Sequence, residues 1–226
     1  MSLCINNDLI WVSIPKCAST STEHAFYDSG LDVTHIYFEN KKEINKHIHF
    51  QIDYLYDKFG VKDTVRIKRD YFERWLSALV FLWEYLESKN ITPIVPWEEI
   101  DNDTIYEIFN KDYIDRIHNS NPADIIDLDR HFLKDKEQKD NVYFGLHLIF
   151  CSQMYWVNNK KCTYEFDITE MDKFEKFISD RYSIDFKIPT LNKTIKTPNK
   201  IVIDEKLKKW VFDNFEKRFI PQNKII

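Results

Sequence analysis

Glycine is nearly absent from this 226-residue chain, with three residues in all. A Walker-type phosphate loop, GxxxxGK[ST], is therefore excluded, because its turn needs glycines around a late lysine. The four cysteines, Cys4, Cys17, Cys151 and Cys162, lack the spacing of a metal site. Four thiols in a chain this long do not make a disulfide scaffold either, so reduced thiols are expected. No stretch reaches the ~18 apolar residues of a membrane span. The N-terminus shows neither a basic region nor a signal-like apolar stretch, which makes a cytoplasmic location the expectation unless the chain is a fragment of a longer anchored enzyme. Positive charge is not in excess: 32 Lys and Arg stand against 37 Asp and Glu, for a net charge of −5. That balance, with a pI of about 5.8, argues against a dedicated nucleic-acid binder and weakly against a highly sulfated polyanionic acceptor. No internal repeat or low-complexity tract breaks the sequence.

What is present is an ordinary globular composition, 43% apolar and 31% charged, in one domain-sized chain. Strands are predicted over residues 9–14, 33–38, 64–68 and 163–166. Helices are predicted over 20–29, stopped by Gly30, over 50–59, stopped by Gly60, and over 71–88. In the last of these Phe72, Trp75, Leu76, Leu79, Trp83 and Leu86 form one stripe. Residues 97–140 read as helices broken by polar turns, 143–158 as an apolar helix, and 171–182 and 205–219 as amphipathic helices, the latter capped by Asp204. Strands alternating with helices predict an α/β fold, a central parallel sheet flanked by helices, with ligands at the carboxyl ends of the strands.

Two segments carry chemistry. In the first, the strand 9–14 runs into Pro15-Lys16-Cys17-Ala18-Ser19-Thr20-Ser21-Thr22 and then a helix. Loop amides, a helix N-terminus, hydroxyl donors and a lysine together suit an anionic group. An N-cap at Ser19 or Thr20 would account for one hydroxyl, but not for the lysine or the whole hydroxyl run. The second segment, Arg69-Asp70-Tyr71-Phe72-Glu73-Arg74-Trp75-Leu76-Ser77, repeats the order of strand, basic turn and helix. Its plain alternative is an exposed helix start with an Asp70–Arg74 pair. Two phosphate-type sites predict a ligand with phosphates at both ends.

These segments resemble the sulfotransferases that use 3′-phosphoadenosine 5′-phosphosulfate, whose 5′ loop reads roughly PKxGSTS and whose 3′-phosphate motif reads roughly RDPxxRxxS. Residues 47–60, HIHFQIDYLYDKFG, resemble the HxHxxFxxF…KFG stretch of the heparan and uronyl 2-O-sulfotransferase branch. Weaker similarity continues at Gln153, at 166–177 and at Leu191-Asn192-Lys193-Thr194. The resemblance implies a single P-loop-like domain over 1–226, with a divergent, mostly helical acceptor-side region at about 84–140. It implies transfer of a sulfonate to an acceptor hydroxyl, that of a glycan; sulfuryl transfer itself needs no metal, and the charge balance already argues against a nucleic-acid partner. By the resemblance, Lys16 stabilises the leaving phosphate, while Cys17, Ala18, Ser19, Thr20, Ser21 and Thr22 cradle the 5′-phosphate. Arg69 and Ser77 hold the 3′-phosphate, and Asn192 and Thr194 lie near the nucleotide. His49 is the implied general base, with Glu23 and Glu39 as carboxylate alternatives; His47 and Trp97 are acceptor-side candidates. Lys193, Lys196 and Lys200 are read either as a solvated loop or as a closing basic stretch. Two departures from the pattern are Ala18 for glycine and Tyr71 for proline. The rival readings are a P-loop-like nucleotide or small-molecule kinase, for which Asp70 is the candidate magnesium ligand, and a non-catalytic nucleotide-binding relative.

Overall fold

The computed structural model describes residues 2–35, 51–119, 130–134, 149–158, 160–189 and 200–217. They fall into two compact units, one built from Met1–Asp70 and Gln153–Thr194, the other from Tyr71–Ser152 and Ile195–Ile226. The helices, in chain order, are α1 (Ser19–Asp28), α2 (Ile52–Phe59), α3 (Tyr71–Ser88), α4 (Asn102–Ile108), α5 (Lys111–Asn119), α6 (Gln153–Trp156), α7 (Met171–Tyr182) and α8 (Glu205–Val211).

The first unit holds a sheet of strands β1 (Leu3–Ile5), β2 (Leu9–Trp11), β3 (Val33–His35), β4 (Asp63–Lys68) and β5 (Tyr164–Asp167), ordered β3-β1-β2-β4-β5. The α/β class is as expected, but the sheet is mixed rather than parallel. β2, β4 and β5 run parallel, while β1 is antiparallel to both β2 and β3. The reversal comes from a hairpin absent from the sequence reading. Asp8 N–H donates to the Ile5 carbonyl at 3.0 Å, and the central Asn6 and Asn7 sit at φ 46° and 55°. Asparagine accepts that left-handed geometry because its short side chain can bond locally, and so tight a turn can join only antiparallel strands.

Strand alternation gives the sheet two apolar faces. Ile10 and Val12 pack with Ile52 and Leu55 of α2, Val157 and Cys162. Trp11 points the other way, its ring centroid 5.6 Å from that of Phe26 on α1, and Phe26 in turn meets Phe174 of α7 and Phe186. Gly30 and Gly60 follow the ends of α1 and α2 at positive φ, as helix stops require. At the amino end of β4, Arg181 of α7 bridges Asp8 and Asp63 at 3.0 and 3.1 Å, an ion-pair clasp at the edge away from the loops that follow β2 and β4.

In the second unit the expected stripe of α3 is buried at Phe72, Trp75, Leu79, Trp83 and Leu86, with Leu76 half-buried. Asp204 caps α8 as expected, accepting from Leu207 N–H at 2.7 Å. The helix expected over 143–158 is corrected where it is described: only Gln153–Trp156 is α-helical, after a non-helical Cys151 and Ser152. The buried Arg74 side chain takes the carbonyls of Ile149 and Cys151, at 2.8 and 2.7 Å, and so competes for the acceptors a continuous helix would use.

Candidate functional site

β2 and β4 are parallel neighbours, in register from Leu9–Asp63 to Trp11–Val65, and Val12 N–H extends the ladder to the Val65 carbonyl at 2.9 Å. The segments after both strands therefore leave the same edge of the sheet. From β2 the chain crosses to β3 on one side and then returns to β4 on the other. The carboxyl ends of β2 and β4 thus flank a topological switch point, where open α/β sheets place ligands.

The first of these segments is bent by two left-handed residues. Cys17 N–H donates to the Ile14 carbonyl at 3.2 Å, closing a four-residue turn. Pro15 presets the second position of that turn, and Lys16, at φ 65°, fills the third, which usually calls for glycine. Ala18 follows at φ 56°, ψ 21° as the N-cap of α1, with no side-chain cap bond. This corrects the reading of Ser19 or Thr20 as the cap. A left-handed non-glycine residue costs roughly 1–2 kcal/mol, and strain of this kind concentrates at functional sites. Left-handed residues thus stand on both sides of Cys17, whose own N–H is taken by the Ile14 carbonyl. The first-turn amides of α1 face the same end of the helix, with no side chain capping them. Lys16, Ser19 and Ser21 are partly exposed and Thr20 is exposed. Thr22 is fully buried and its hydroxyl has no partner among the described residues, so the accessible hydroxyls are those of Ser19, Thr20 and Ser21.

The second segment meets the first. Arg69 Nη1 donates to the Lys16 carbonyl at 3.4 Å, which brings together two basic motifs 53 residues apart. Gln153, whose role side-chain patterning did not disclose, grips the Arg69 backbone on both sides. Its Oε1 accepts from Arg69 N–H at 3.0 Å, and its Nε2 donates to the Arg69 carbonyl at 2.6 Å. The same Oε1 accepts from Cys17 Sγ at 3.6 Å. Its signals in the sequence were the weaker resemblance at this position and a lone amide inside an apolar run.

On β4, three residues before Arg69, Arg66 is buried and its Nη2 pairs with Glu165 of β5 at 2.7 Å. Lys68, more exposed, reaches the same carboxylate at 3.3 Å. Burial works to raise the Glu165 pKa, but the Arg66 charge and the hydrogen bonds from Lys68 and Arg66 outweigh it and hold the carboxyl below its ordinary value.

Of the other candidates, some belong to the second unit and some lie outside the described residues. Ser77 is buried on α3, in the other unit. Arg74 is buried, and its described bonds go to the backbone carbonyls of Ile149 and Cys151, a structural role. Trp97 opens a short 3₁₀ turn with its ring 6.2 Å from that of Trp83, within the aromatic packing of the second unit. Glu23 is buried on α1 and accepts from the Tyr27 hydroxyl at 3.4 Å; Lys200 is exposed. His47, His49, Glu39, Asn192, Lys193, Thr194 and Lys196 lie outside the described residues.

No family model, curated protein or solved structure matches this chain. Its chemistry is therefore read from its own side chains. Among the described residues, no helix is long and apolar enough to cross a membrane.

Proposed function

We propose that the chain is a sulfotransferase with a P-loop-like fold, moving a sulfonate from 3′-phosphoadenosine 5′-phosphosulfate to an acceptor hydroxyl, that of a carbohydrate by its resemblance to the 2-O branch. The observation that carries this reading is the bond from Arg69 to the Lys16 carbonyl. It sets a guanidinium against a lysine-bearing, left-handed loop at the carboxyl ends of neighbouring parallel strands. A dianion at each end of one small ligand suits that pair of turns. The loop amides and the hydroxyls of Ser19, Thr20 and Ser21 take the 5′-phosphate, and Arg69 takes the 3′-phosphate, which its planar fork can bond in bidentate fashion.

The reaction exchanges one S–O bond for another. The acceptor oxygen bonds to sulfur, the bond from sulfur to the phosphate oxygen breaks, and adenosine 3′,5′-bisphosphate leaves. Lys16 provides positive charge where the leaving phosphate becomes more negative, the kind of placement that usually supplies the largest share of catalysis. The acceptor proton passes to a base, His49 by resemblance; a histidine titrates in the right range for that step.

Calorimetric titration with adenosine 3′,5′-bisphosphate tests the donor site. Micromolar binding by the wild type that falls at least tenfold in Arg69→Ala, the loss of a charged hydrogen bond of about 1.5–3 kcal/mol, is the expected result. Absence of wild-type binding overturns the reading. With an acceptor in hand, Lys16→Ala lowers kcat by about 10²–10³ at an unchanged melting temperature.

A further inference from the structure

We infer that Gln153 is a positioning residue, whose single carboxamide holds the Arg69 turn and the Cys17 loop in register. The consequence for ligand affinity rests on the bisphosphate reading above; the coupling itself does not.

The geometry leaves little else for this side chain to do. Gln153 is 8% exposed. Its carboxamide bonds the N–H and C=O of Arg69, at 3.0 and 2.6 Å, as a neighbouring strand would. The orientation of the amide follows from its partners, since a backbone N–H can only donate and a carbonyl only accept. The oxygen has a second lone pair, and Cys17 Sγ lies 3.6 Å from it. Arg69 then closes the circuit by donating to the Lys16 carbonyl, one residue before Cys17. Three bonds from one amide and one from a guanidinium thus tie the end of β4 to the loop after β2.

This matters because the loop has no glycine to make its geometry easy. Lys16 and Ala18 persist in left-handed conformations only where surrounding contacts over-determine them. Gln153 is such a contact, placed on the residue between the two. It also fixes the Arg69 backbone, and with it the origin of the guanidinium. A site for two phosphates needs its donors held to about 0.5 Å. No other residue type does this work at the same place. Glutamate is as long but has no donor for the Arg69 carbonyl, and asparagine is one methylene short.

The test uses the full chain with Gln153→Ala and the similarly long Gln153→Met, which has neither the donor nor the amide acceptor, and two readouts. The first needs no ligand: the rate at which iodoacetamide labels Cys17, followed by peptide mass spectrometry. Cys17 is 1% exposed, so labelling reports opening of the loop. The other cysteines act as internal controls: burial pushes the Cys151 thiol up to about 12 and the Cys162 thiol up to about 11, and raises that of Cys4. Coupling predicts about tenfold faster labelling of Cys17 alone in both variants, from the loss of buried hydrogen bonds. An unchanged Cys17 rate, or equal acceleration at all four cysteines, overturns it. Should Gln153→Ala fail to fold, Gln153→Met, of similar length but with neither hydrogen-bonding group, carries the same measurement.

The second readout is affinity for adenosine 3′,5′-bisphosphate against adenosine 5′-monophosphate. A positioning role for Arg69 predicts that the variants lose about tenfold for the bisphosphate and little for the monophosphate, so that the ratio of the two affinities falls toward that of Arg69→Ala. Equal losses for both ligands would reduce Gln153 to general support of the fold and overturn positioning. If the wild type binds neither nucleotide, the sulfotransferase reading fails, and the Cys17 rates still decide whether Gln153 couples the two turns.

Discussion

The two units bury different things. The sheet unit encloses Ser2, Ser13, Thr22, Glu23, Thr64, Arg66 and Gln153, several of them engaged with backbone or with an ion pair. The helical unit is organised around rings: Trp75 has Phe109, Phe150, Trp210 and Phe215 within 5.6–6.3 Å, and its buried charge, Arg74, is spent on backbone carbonyls. Burying a polar group is unfavourable unless a partner meets it, whereas burying a ring is favourable in itself. The first interior therefore adds fixed polar positions to its apolar packing, whereas the second rests mainly on rings.

The strongest way to break this contrast is Trp75→Ala. The side chain is fully buried, and truncating a core tryptophan costs about 3–5 kcal/mol. Urea unfolding should register that loss. Trp75→Phe should cost far less, because the buried indole N–H has no acceptor among the described residues and a ring remains to fill most of the space. A loss below about 1 kcal/mol for the alanine variant would mean that the rings are loosely packed and that the contrast is overstated.

A smaller effect is expected from Glu165→Gln, which tests the polar interior. The folded pKa of Glu165 lies below its ordinary 4.5. Its pairing with Arg66 and Lys68 therefore adds stability that is fully present above 4.5 and fades as pH falls through the folded value. The variant should melt below wild type at pH 7, by about 2 kcal/mol for a weakened charged hydrogen bond. That gap should close on acidification below pH 4.5. A gap independent of pH would show that the carboxylate charge contributes nothing there.

Different parts of the molecule were legible for different reasons. The bounds of α3 and α7 follow from apolar spacing, and the start of α8 from its Asp204 cap, all local signals. The order of strand, lysine-bearing turn and helix around Lys16 is likewise a local signal. β1 escaped because three apolar residues carry little periodicity, and with it went the antiparallel edge of the sheet. The helix expected through residue 150 yields to Arg74, 75 positions away from the carbonyl it captures; an apolar run cannot show who will claim its backbone. Gln153 was obscure for the same reason, since its main partner is the backbone of Arg69, which no side-chain pattern encodes. The left-handed turns at Lys16 and Ala18 were hidden because neither is a glycine.

The smallest predicted effect sharpens the contrast most finely. Ala18 is left-handed at the mouth of the sheet unit, so Ala18→Gly removes a cost of roughly 1–2 kcal/mol. Glycine returns part of it as extra freedom in the unfolded chain, about 0.5–1 kcal/mol. A net gain of about 0.5 kcal/mol remains, a rise of about 1–2 °C in melting temperature for a chain of this size. Affinity for adenosine 3′,5′-bisphosphate should stay the same, because the loop already has the geometry a glycine would permit. A fall in melting temperature would mean that the loop is not left-handed in solution. A marked rise in affinity at unchanged stability would mean that alanine holds the loop away from its binding geometry, and that the departure from a glycine at this position weakens the site.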